Sequence, residues 1–251
     1  MKVSILIISL FCTVLLSIKS NRFESVANTT KESHYPCKVI TKDFVLGKFD
    51  FKTDSCFVKV DSKYSNKSIY LQKEVYEAFL KMRTAAEAQG IQFKLISGTR
   101  NFTYQKSIWD RKWKKYENLT PIERAKKILK YSSMPSTSRH HWGTDFDLNH
   151  LTNSYFESGQ GLKAYNWLQK HANTFGFYQV YTSKDGGRTG YNEEKWHWSY
   201  LPLASQYLTF YNETITNTDI IGFEGFEFAS SLDMICNYVN GISPESLRFL
   251  N

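Results

Sequence analysis

Residues 138–147 of this 251-residue chain read Ser138-Arg139-His140-His141-Trp142-Gly143-Thr144-Asp145-Phe146-Asp147. Two adjacent imidazoles are followed, after a glycine, by two carboxylates at alternate positions. A strand over Thr144-Asp145-Phe146-Asp147-Leu148 puts both aspartates on one face, because side chains alternate with period two. A second dense cluster follows at Glu193-Glu194-Lys195-Trp196-His197-Trp198-Ser199-Tyr200. Imidazole, carboxylate and a second imidazole form a donor set that suits tetrahedral zinc with the fourth position open to water. A glutamate beside His197 is placed to take that water's proton.

Three segments carry a family resemblance. Ser138-x-His140-x-x-Gly143-x-Asp145-x-Asp147 resembles the S-x-H-x-x-G-x-A-x-D signature of the VanY-type zinc D-alanyl-D-alanine carboxypeptidases. Glu194-Lys195-Trp196-His197-Trp198-Ser199-Tyr200 is similar to their E-x-W-H-x-x-Y element, and Ser97-Gly98-Thr99-Arg100 with Gln105 to their S-G-Y-R-S-x-x-x-Q segment. The resemblance implies zinc held by His140, Asp147 and His197, with Glu194 as the proton carrier. It implies Arg100 as the group that stabilises the developing oxyanion, a task suited to a planar, permanently charged donor. Ser138 and Gln105 are then expected to bind substrate or fix a loop. Asp145 stands where the family has alanine and faces the same way as Asp147. It either orients a ligand or is the ligand itself, and the match to the family position selects Asp147. His141 points away from its neighbour in an extended segment and is expected to support the site from behind or to pack.

The resemblance also implies the fold, an α+β arrangement of helices on a mainly antiparallel sheet that carries the zinc site, as in the hedgehog-like metallopeptidases. The expected substrates are peptidoglycan stem peptides in the bacterial cell envelope. The alternatives are an L,D-carboxypeptidase or endopeptidase on the same scaffold, or a silent zinc-containing binding protein. Glu194 and Arg100 together argue against the last. The chain has no G-x-S-x-G element and no H-E-x-x-H helix, so serine hydrolases and thermolysin-type peptidases are disfavoured.

The elements that must position these residues follow from periodicity. Leu71, Val75, Ala78, Phe79, Met82 and Ala86 predict a helix over 71–89, stopped by Gly90. Residues 91–96 alternate as a strand that delivers Ser97 to Arg100 at its end. A helix over 103–116 is predicted with Tyr104, Ile108, Trp109 and Trp113 inward. Thr120-Pro121-Ile122-Glu123 is a capping box opening a helix to residue 131. Strands are expected at 145–148, 177–181 and 196–201, with a helix at 161–175 between the first two. A further helix is expected at 230–239.

Met1-Lys2 and the apolar run Val3 to Ile18 read as a signal peptide over residues 1–20; the run is shorter than the ~20 residues that span a bilayer. Residues 21–60 are expected to be a lead-in with short strands, 61–205 the zinc peptidase domain and 206–251 a helical appendage. Export and no membrane insertion after signal removal follow from this reading. The net charge of +8 is spread out, apart from Arg111-Lys112-Trp113-Lys114-Lys115 and Lys126-Lys127, which read as solvated helix faces. Nucleic acid is not an expected partner, and the oligomeric state is left open. Cys37, Cys56 and Cys236 remain after residue 20, an odd number; Cys37 with Cys56 is the expected pair.

Overall fold

The computed structural model describes residues 37–250; the signal-peptide reading and the start of the lead-in lie outside them. The chain begins with α1 (Lys42–Val45), β1 (Phe57–Lys59) and β2 (Tyr70–Gln72), the two strands forming an antiparallel hairpin. A disulfide joins Cys37 to Cys56 with a Cα–Cα distance of 5.7 Å, as the sequence reading expected, and Cys236 is exposed and free. Then come α2 (Lys73–Glu87), β3 (Leu95–Ser97), α3 (Phe102–Lys115), α4 (Pro121–Ile128), β4 (Asp145–Leu148), α5 (Gly159–His171), β5 (Phe177–Gln179), β6 (His197–Tyr200) and α6 (Leu201–Thr214).

Four strands form one antiparallel sheet in the order β3-β4-β6-β5. The two motif-bearing strands are therefore the central pair. Their register sets Asp147 opposite His197 and Asp145 opposite Ser199, and β3 sets Ser97 opposite Asp147. Alternation along β4 sends its aspartates to one face and Phe146 to the other. There Phe146 meets Phe79 of α2 at 5.5 Å and Phe177 of β5 at 4.9 Å between ring centroids. Val75, Phe79, Met82 and Ala86 form the buried stripe of α2, spaced as a helix facing a core requires.

Several predicted boundaries and inward faces differ in the structure. The helix expected from residue 71 starts at Lys73, because Leu71 pairs with Val58 in the hairpin. Gln72 is extended and donates its backbone N–H to the Gly143 carbonyl at 3.1 Å. The strand expected over 91–96 is confined to Leu95–Ser97, since Lys94 exchanges hydrogen bonds with Asn149 instead of a neighbouring strand. Tyr104, expected inward on α3, is 51% exposed, whereas Gln105, Trp109 and Trp113 are buried. The capping box at Thr120 is present, but α4 ends at Ile128.

The C-terminal part differs most from expectation. In place of a regular helix over 230–239 there is a short π-helical segment, Met234–Val239, entered through Asp233 at φ 48°. The sequence reading named no helix at α6, although Leu201, Ala204, Leu208 and Tyr211 recur at helical spacing. Tyr207 and Tyr211 of α6 flank Trp142 at 6.2 and 6.3 Å, and the Tyr211 hydroxyl donates to the Ser136 carbonyl at 3.1 Å. A boundary between residues 205 and 206 falls inside α6. Among the described residues no helix is long and apolar enough to cross a membrane.

Candidate metal centre

A 3-10 turn, Arg139–Trp142, leads into β4 and carries His140. Gly143 ends that turn at φ 71°, where a Cβ would lie 2.3 Å from the Phe57 ring; both the backbone region and the space favour glycine. His140 is buried, and its Nδ1 lies 2.8 Å from the Gly98 carbonyl oxygen. A carbonyl can only accept, so Nδ1 carries the proton and Nε2 is left with a free lone pair able to ligate a metal. That Nε2 is 3.6 Å from Asp147 Oδ1, and His197 Nδ1 is 3.2 Å from the same oxygen. The two imidazoles meet edge to face at 4.8 Å. His140, Asp147 and His197 each present one ligand atom, all within 4.8 Å of one another.

Asp145 is committed elsewhere. Its Oδ2 accepts from Arg139 Nε at 3.0 Å and lies 2.9 Å from His197 Nε2. Its Oδ1 accepts from Ser199 Oγ at 2.8 Å and Thr144 Oγ1 at 2.7 Å. Arg139 also donates to Ser199 Oγ at 2.7 Å and stacks on Trp142 at 4.8 Å. Burial opposes ionisation of Asp145, but the Arg139 charge and the His197 hydrogen bond outweigh it and hold the carboxyl below its usual range. Burial likewise opposes charge on His197, yet its hydrogen bonds to Asp145 and Asp147 push it up to about 9. Neither Arg139 nor Ser199 is assigned a role by the sequence motifs. The pairing of Asp145 with Ser199 across the strands is the signal that finds the second of them.

His141 takes different partners from His140, but on a 3-10 turn and not on the extended segment expected from the sequence. Its Nδ1–H donates to the Arg100 carbonyl at 2.6 Å and its Nε2 accepts from the Ser136 N–H at 3.1 Å. It thus fixes the backbone beside Arg100, whose own N–H donates to the His140 carbonyl at 3.1 Å. Burial pulls the His141 pKa down to about 3 from 6.5. The folded value lies below the unfolded one, so acid protonates the unfolded chain first. Stability is then lost as pH falls from 6.5 towards 3, by up to ~1.4 kcal/mol per pH unit for one proton. Thermal melts of metal-free His141→Gln against the parent should show a shallower pH dependence between those limits. Parallel slopes would show that His141 does not carry this proton linkage.

Glu194 is buried, with Oε2 3.8 Å from His197 Nδ1. Burial pushes its carboxyl up to about 8, against the lowering effect of His197. Glu193 is half-buried, and its carbonyl accepts from Asn153 at 2.9 Å. Arg100, His140, Asp147, Glu194 and His197 line one cavity of about 690 Å³. Gln105 and Ser138 are buried and are not among the residues that line it. Gln105 Nε2 donates to the Ser133 carbonyl at 2.8 Å, which is the loop-fixing alternative. Lys112, read from the sequence as part of a solvated face, lines the cavity instead.

The structure thus presents a His-Asp-His centre at the middle of an antiparallel sheet, with a buried glutamate beside it. The chain belongs to the VanY D-alanyl-D-alanine carboxypeptidase family, whose profile matches residues 68–203. A D-alanyl-D-alanine carboxypeptidase of Enterococcus faecalis is 29% identical over 127 residues, which cover 48% of this chain and 44% of that protein. The chain spans less than half the length of the curated relatives it matches. Among solved structures, VanYB in complex with D-alanine-D-alanine shares the fold at a TM-score of 0.50 and 21% identity. That match covers 72% of this chain and 91% of the other. The LD-carboxypeptidase LdcB matches at a TM-score of 0.51 and 19% identity, over 82% of this chain and 81% of that one. The α+β fold expected from the sequence is the fold found.

The donor set fits zinc. Two neutral-capable imidazoles and one carboxylate are the ligand types of hydrolytic zinc sites. Each histidine has its outward nitrogen tied down, His140 by the Gly98 carbonyl and His197 by Asp145. Such outward partners fix tautomer and ring orientation in histidine metal ligands.

Proposed function

We propose that this protein is a zinc-dependent carboxypeptidase that removes the C-terminal D-alanine from peptidoglycan stem peptides. The observation that carries the reading is the convergence of His140, Asp147 and His197, with Glu194 3.8 Å from His197, in one cavity with Arg100. Zinc, when bound by these three residues, supplies Lewis-acid chemistry that polarises a carbonyl and makes water acidic near neutral pH.

The residues of the chain do the rest. Glu194 takes a proton from the attacking water and returns it to the leaving amine as the C–N bond breaks. Arg100, on the turn after β3, directs its guanidinium at the oxygen on which negative charge develops. Its Nε is buried without a hydrogen-bond partner, and no ion pair to Arg100 is found among the described residues. Asp145 keeps His197 in the orientation that turns Nδ1 inward, and Arg139 keeps Asp145 ionised. Export to the bacterial cell envelope places the enzyme with its polymer.

The test joins metal analysis to product identification. Purified protein is expected to hold about one zinc per chain, as a three-ligand hydrolytic site does. It should release free D-alanine from a stem pentapeptide, stop after chelation and recover on zinc addition. Release from the tetrapeptide but not the pentapeptide would move the assignment to L,D-carboxypeptidase chemistry. Full activity in protein shown to be free of metal would overturn the zinc reading.

A further inference from the structure

Lys112 departs from its neighbours on α3. Arg111, Lys114 and Lys115 are exposed, whereas Lys112 is half-buried and lines the cavity that holds Glu194. It lies at helical spacing from Gln105, Ile108 and Trp109 and so shares their face. Its ammonium donates to the Ser132 hydroxyl, also on the cavity wall. No ion pair to it is found among the described residues, although Lys106 on the same helix pairs with Asp110 at 2.6 Å. A lysine ammonium is compact and strongly hydrated, and holding it out of water without a counter-charge is costly. Burial accordingly lowers its pKa, with the charge of Glu194 working the other way. Arg100 and Arg111 line the same cavity, and that excess of positive charge fits an anionic group on whatever enters.

The chemistry under Proposed function, on which this inference rests, identifies the anion. An exopeptidase substrate carries one obligatory negative group near the scissile bond, the free carboxylate of its last residue. Glu194 hands its proton to the leaving amine, so that last residue lies on the Glu194 side of the centre. One carbon separates the amine from the terminal carboxylate. Glu194 shares its cavity with both Arg100 and Lys112, and the reaction reserves Arg100 for the carbonyl oxygen. We propose that the Lys112 ammonium, held by the Ser132 hydroxyl, binds the terminal carboxylate of the substrate and thereby selects free C-termini. Lys112 is a specificity residue of the site, not part of its proton transfer.

The experiment compares a stem pentapeptide ending in a free carboxylate with its C-terminal amide. A charge-assisted hydrogen bond of ~1.5–3 kcal/mol corresponds to roughly a 10- to 100-fold preference for the acid in kcat/KM. In Lys112→Met that preference should collapse towards one, chiefly through KM for the acid, while Lys112→Arg keeps most of it. Zinc content and melting temperature monitor the fold of each variant. Binding of both peptides to zinc-loaded Glu194→Gln, with and without Lys112→Met, is measured by calorimetry and needs no turnover. Equal affinity for acid and amide in Glu194→Gln, or a preference that survives Lys112→Met, would overturn the carboxylate role. Absence of turnover on either peptide by the parent enzyme would instead strike the carboxypeptidase reading, with calorimetry still deciding on Lys112.

Discussion

Glu194→Gln is expected to leave zinc content and fold intact and to lower D-alanine release by at least ~10²–10⁴-fold, the usual contribution of general acid–base catalysis. The amide matches the carboxylate in shape and removes only its ability to carry a proton. Release is followed from a stem pentapeptide at fixed zinc occupancy, so a loss of rate cannot be a loss of metal. Near-native turnover would exclude Glu194 as the proton carrier. Asp145 is an unsuitable substitute, since four donors already engage its two oxygens. Glu193 would then be examined next. Arg100→Lys is the matching control: it keeps the positive charge but not the planar donor array, so zinc stays and rate falls.

What the sequence revealed of this site depended on the distance over which each interaction is encoded. The central strands were readable because period-two alternation is local: Asp145, Phe146 and Asp147 declare their faces without outside information. Asp147 and His197 converge because those strands are neighbours in register, and His140 joins them from the turn that precedes β4. The task of Asp145 was not readable from alternation alone. Its partners Ser199 and His197 lie 54 and 52 residues away in the chain, and Arg139 becomes meaningful only once all are buried together. The start of α2 was misplaced for the same reason, since Leu71 fits helical periodicity but is claimed by the hairpin. Lys112 was hidden by its company, a basic run in which a single member turns inward. Ser138 and Gln105 matched the right motifs, yet motif membership does not say whether a side chain lines a cavity or braces its wall.

Asp147→Asn is expected to weaken zinc binding far more than Asp145→Asn, although the two aspartates stand one residue apart on the same face of β4. Asp147 Oδ1 is the point on which His140 Nε2 and His197 Nδ1 converge, at 3.6 and 3.2 Å. An amide there removes the anionic donor of the set. Asp145 meets His197 on its outward nitrogen, so its loss disturbs ligand orientation, an effect typically worth ~10–100-fold in metal affinity. The two variants should separate differently on stability. Asp145→Asn leaves the buried Arg139 without its carboxylate, and breaking a buried pair from one side costs ~3–5 kcal/mol. Metal-free Asp145→Asn should therefore unfold at markedly lower denaturant than the parent while retaining measurable zinc affinity. Zinc titration alongside denaturant unfolding of both variants decides the matter. A larger loss of zinc affinity in Asp145→Asn would make Asp145 the ligand and reduce Asp147 to a partner of His197.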